Sequence, residues 1–125
     1  MFVLDNARLP QAELPGIQHT TLAGSDNGLR HLSVWRQTIA AGEATPPHRH
    51  DCEEVVVIDS GRGELHAAGA VFAFGPDSTL VIPPNLDHQI INTGDAPIRL
   101  TAAFSVSPVT VVLPDGNMLE LPWRS

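Results

Sequence analysis

The 125-residue chain contains no lysine and no tyrosine, and a single cysteine. Each shortage removes a class of chemistry. Without lysine there is no lysine Schiff base. Without tyrosine there is no phenolic acid, base or nucleophile. The lone thiol, Cys52, cannot close an intrachain disulfide, which fits a reducing compartment. Seven arginines face fourteen acidic residues, for a formal net charge of −7. No basic cluster stands out, and this argues against nucleic acid and anionic membranes as partners, because both are met by a basic face. No apolar run approaches the roughly 18 residues that cross a bilayer. Residues 1–8 lack the basic start and apolar stretch of a signal peptide. A soluble, cytoplasmic protein is the expectation. The GxSxG, GxGxxG and GxxxxGK(S/T) patterns are missing as well.

Proline and glycine are not scarce: 11 Pro and 10 Gly are spread along the chain, and 42% of residues are hydrophobic. The length suits one domain, 1–125, large enough for a core of its own. Scattered breakers punctuate short strands and disfavour long helices. Residues 1–16 read as an extended arm. Strands are expected over 17–23, 32–40, 54–58, 64–68, 70–74, 79–82, 87–92 and 98–106. A final hairpin, 109–113 with 117–121, turns at Pro114-Asp115-Gly116. Nine or ten short strands without sustained helical periodicity make an all-β barrel or sandwich.

Six histidines are present, at positions 19, 31, 48, 50, 66 and 88. His48 and His50 are two apart, so in extended chain both imidazoles point to one side. Glu54 shares their parity. His88 would join them from a distant strand. Three imidazoles and a carboxylate suit one divalent transition metal (Fe, Mn, Ni, Co, Cu or Zn) and are too nitrogen-rich for Mg or Ca. An octahedral ion so held keeps two positions for water, dioxygen or substrate.

Residues 42–61 read G-EATPP-HRH-DCE-E-VVVIDS-G, and residues 77–92 read D-STLVI-P-P-N-LD-H-QII-N. The first stretch resembles the first motif of the cupin family: Gly, HxH, Glu and Gly at the family spacing. The second resembles the second cupin motif through Pro83, His88 and Asn92. Asp77 and Asn85 stand where that motif has glycines. Asn tolerates the left-handed backbone region better than most residues. The resemblance implies a double-stranded β-helix, the jelly-roll barrel. It implies metal ligation by His48, His50, Glu54 and His88, and pairing of edge strands in a homodimer.

Other positions carry plainer expectations. His19, His31 and His66 fit no motif and read as surface or wall residues. Cys52 reads as a small, inert turn residue. Glu53 should face out, and one of Arg36 and Gln37 should face in. Trp35, Phe72, Phe74 and Phe104 read as core or cavity wall, and Trp123 as a cover for a barrel mouth or a dimer partner. Val55, Val57, Ile82, Ile90 and Phe104 are expected to line a cavity. Function then divides between a metal-dependent enzyme and a non-catalytic module. The enzyme would be a dioxygenase or an isomerase/lyase acting on a small oxygenated molecule. The module would bind metal or ligand without turnover.

Overall fold

A computed structural model describes residues 2–125. Eleven strands and two short 3-10 turns make up its regular structure. One antiparallel sheet has the order β1 (Gln11–Leu14), β2 (Ile17–Ala23), β3 (Ser33–Ile39), β9 (Ile98–Phe104), β4 (Glu54–Ser60), β7 (Ser78–Ile82). A smaller one has the order β6 (Ala70–Phe74), β5 (Gly63–Ala67), β8 (His88–Asn92). The hairpin β10 (Val111–Val112) and β11 (Met118–Leu119) stands apart. Among the described residues no helix is long and apolar enough to cross a membrane.

Alternation within strands decides what faces inward. In β4, Glu54, Val56 and Ile58 are buried while Val55 and Val57 are exposed. In β9, Ile98, Leu100, Ala102 and Phe104 are buried. These two strands pair in register, Glu54 opposite Phe104 and Val56 opposite Ala102. Together with Ile39 of β3 they form the centre of the core. Burial of each such aliphatic side chain is worth about 1.5–3 kcal/mol over leaving it in water.

Several expectations from the sequence need correction. Residues 1–16 are not wholly an arm: Gln11–Leu14 pairs antiparallel with β2, from Gln11 opposite Thr20 to Leu14 opposite Ile17. Val55 and Val57 do not line the interior, because an inward Glu54 forces its odd-numbered neighbours outward. Phe72 is neither core nor wall: β6 is an edge strand whose first four residues are all exposed, Phe72 by 53%. Trp35 and Phe104 are buried as expected, and Phe74 packs partly buried against the core.

The turns of the two motifs follow backbone chemistry. Gly42 and Gly61 have φ of 76° and 92°. At Gly61 a Cβ would also meet Ile98 Cα at 2.8 Å. Asp77 and Asn85, which replace glycines of the second motif, both sit at φ 61°. Short polar side chains thus occupy the left-handed region that glycine usually fills.

Candidate metal centre

Three pieces of chain deliver the site. Residues 44–48 run extended beside β8, with bridges at Ala44–Ile91 and His48–His88. His48 and His88 exchange both backbone hydrogen bonds, at 3.0 and 2.8 Å, so their side chains stand together on one face. His50 lies two residues on, past the Arg49–Val112 bridge. Glu54 opens β4 and faces inward from the larger sheet. His48, His50, Glu54 and His88 are all buried. Ligand atoms of the three histidines lie within 4.8 Å of one another, an arrangement that could hold a metal ion. Glu54 Oε1 lies 3.4 Å from both His50 Nε2 and His88 Nε2.

The second nitrogen of each ring fixes its tautomer. His48 Nδ1 lies 2.6 Å from the Pro46 carbonyl, His50 Nδ1 2.8 Å from that of Thr110, and His88 Nδ1 2.9 Å from that of Leu86. A carbonyl oxygen only accepts, so each Nδ1 carries the proton and donates it. The three Nε2 lone pairs are thereby left for the shared centre, an anchoring typical of metal-bound imidazole. Glu54 Oε1 is buried and has no hydrogen-bond partner. Leaving a carboxylate oxygen bare in an interior is costly, and a cation beside it removes the cost. The donor set, its tautomers and the bare oxygen therefore fit a transition-metal ion.

Charge within the cluster is graded. Burial, aided by the neighbouring His88, pushes His48 down to about 3. Burial also lowers His50, partly offset by Glu54. For His88 burial acts downward too, but Glu54 and the Leu86 carbonyl outweigh it and the net shift is upward.

The space beside these residues is about 40 Å³. That exceeds the roughly 10–15 Å³ that one water needs. Its walls are mostly apolar. Trp35 packs on Phe104 with ring centroids 4.4 Å apart, and Phe104 meets His50 edge-on at 4.9 Å. Ile90 and Phe104 line the space as expected; Ile82 is buried in the core elsewhere. Trp123 lines both this space and an outer cleft of about 360 Å³.

The structure settles the remaining positions. Gln37 lines the cavity while Arg36 is exposed. Glu53 faces out. Cys52 is buried in a bend, and burial raises its thiol, as befits an inert residue. His31 is exposed, and the half-exposed His66 pairs with Glu64 at 3.1 Å. His19 is neither surface nor cavity lining but packs behind the wall: only 2% exposed, its ring stacks on Trp123 at 3.7 Å and meets Trp35 edge-on at 4.9 Å. Its inward parity on β2 could have been read from Ile17, two residues earlier. The partner rings could not, because Trp123 lies more than 100 positions away.

Comparison with known proteins identifies the family and the fold. The chain is 37% identical over 109 residues to auxin-binding protein 1 of Arabidopsis thaliana, covering 79% of this chain and 55% of that protein. It is 37% identical over 123 residues to auxin-binding protein T85 of Nicotiana tabacum, covering 87% and 66%. The chain thus spans between about half and two-thirds of the length of these relatives. Among solved structures, an RmlC-like cupin from Shewanella frigidimarina superposes with a TM-score of 0.75 at 15% identity, covering 86% of this chain and 93% of that one. The barrel is a cupin barrel, and the family model described as auxin binding protein matches residues 1–121, so the chain belongs to that family of cupins.

Proposed function

We propose that this chain binds one divalent transition metal through His48, His50, Glu54 and His88 and uses the centre to capture a small organic acid. The observation that carries this reading is the set of three Nε2 lone pairs, locked by backbone carbonyls, converging beside a bare carboxylate oxygen. When bound, the ion supplies Lewis acidity and open positions that favour an anionic oxygen donor. The apolar rings of Trp35, Phe104 and Trp123 suit the hydrocarbon part of such an acid.

Binding is favoured over catalysis by the cavity wall. Among the described residues it holds no titratable side chain besides the four proposed ligands. General acid–base chemistry needs such a group within hydrogen-bond reach of the substrate. The relatives' names, auxin-binding proteins, also point to ligand binding. The small volume suits an ion with its water. A larger acid requires Trp123 to shift toward the outer cleft.

The test is metal analysis of untagged protein, then calorimetry of the zinc-loaded form with acetate, benzoate and 2-naphthoate. Close to one metal per chain and saturable carboxylate binding are expected. Failure to hold metal, or indifference to all three acids, overturns the reading. Oxygen consumption by the iron-loaded form with an added acid would instead establish the dioxygenase alternative.

A further inference from the structure

Behind the cavity wall runs a directed chain of hydrogen bonds. Thr21 Oγ1 donates its only proton to the Arg124 carbonyl, at 2.8 Å. The same oxygen lies 2.7 Å from His19 Nε2, toward which it can therefore only accept. His19 must carry its proton on Nε2, which makes Nδ1 an acceptor. Gln37 Nε2 lies 3.0 Å from that Nδ1 and donates to it. The order is the reverse of that in His48, His50 and His88, whose protons sit on Nδ1. The same His19 ring lies flat against Trp123, with planes 11° apart.

We propose that His19 is a positioning residue of the metal cavity: as the Nε2–H tautomer it fixes the orientation of the Gln37 amide and seats Trp123 as the cavity cover. Two walls of one space, one polar and one apolar, are thereby set by a single imidazole that does not touch the metal site. The amide is planar, with nitrogen and oxygen on opposite sides of its carbon. Holding Nε2 at His19 turns the oxygen away from it. The Arg124 carbonyl is the fixed end of the chain, because it cannot reverse its role. Burial keeps His19 neutral at neutral pH, so the chain keeps its direction. The role in ligand capture rests on the function proposed above; the role in positioning does not.

The decisive experiment has two arms. In the first, imidazole and side-chain amide NMR spectra are recorded for the zinc-loaded wild type and for His19→Phe. The phenyl ring preserves a flat partner for Trp123 but offers no nitrogen. The wild type should show His19 as the Nε2–H tautomer and a protected Gln37 amide. In His19→Phe that protection should be lost, with zinc affinity unchanged within about threefold. His19→Gln, whose amide offers the same acceptor–carbon–donor order, should restore it and also guards against a misfolded Phe variant. An Nδ1–H tautomer in the wild type, or Gln37 signals that do not respond, overturns the proposal. In the second arm, benzoate binding to zinc-loaded protein should weaken about tenfold in His19→Phe and recover in His19→Gln. Unchanged benzoate affinity overturns the ligand role. If the wild type binds no benzoate, the acid-binding function fails and the first arm still decides the positioning role.

Discussion

Replacing His19 by Phe should change the acid stability of the barrel in a definite direction and pH window. An unfolded chain takes up a histidine proton near pH 6.5. In the folded protein burial lowers His19 to about 3. The groups it touches, Thr21, Gln37, Trp35 and Trp123, include no carboxylate to offset that burial. Between those two values the unfolded state holds more protons, so stability falls as pH falls. The contribution is complete above about pH 6.5 and is lost progressively toward pH 3. Its slope cannot exceed about 1.4 kcal/mol per pH unit, and between pH 7 and pH 5 His19 alone should cost about 2 kcal/mol. Phenylalanine does not titrate. The assay is urea unfolding of both proteins at intervals from pH 7.5 to 4.5. The buried histidines of the metal centre titrate in both proteins and cancel in the difference. The stability advantage of wild type over His19→Phe should shrink by about that amount on acidification. Parallel curves across the window would show that His19 is not held neutral by burial, and would refute the reasoning.

Other predictions follow from the same geometry. His88→Ala should keep a cooperative melt, because the core of Val56, Ile58, Leu100 and Phe104 does not depend on an ion, yet lose most metal affinity; a variant unfolded at room temperature would make the centre structural. Zinc at about a thousand times its dissociation constant should stabilise the wild type by about 4 kcal/mol, reversed by a chelator and read as a shift in melting temperature. Neighbouring positions on β4 should differ sharply: Ile58→Ala should cost about 2–5 kcal/mol, and the outward Val57→Ala about 0.5 or less, by denaturant unfolding. With β1 and β7 at the open edges of the larger sheet, two copies should pair; light scattering that gives a monomer at micromolar concentration excludes this.

Local rules in the sequence were enough for much of this. Strand-breaking Pro and Gly with short apolar runs marked nearly every strand, because turn residues and pleat alternation act over a few positions. The HxH spacing and the parity of Glu54 marked the candidate ligands for the same reason. That rule also contained the correction to Val55 and Val57, which an inward Glu54 excludes from the interior. The positive φ at Asn85 was legible too, since Asn tolerates that region better than most residues, whereas that at Asp77 was not anticipated. What only the tertiary structure decided are relations between distant segments. Strand 11–14 is polar and short, and becomes a strand only because β2 offers it an edge. The Nδ1 protons of the three site histidines are set by carbonyls of Pro46, Thr110 and Leu86. Gln37 faces inward, but its amide orientation is decided by His19, Thr21 and a carbonyl at Arg124. Hydrogen-bond direction and ring stacking depend on where a closed barrel brings its ends together. No spacing along the chain encodes that.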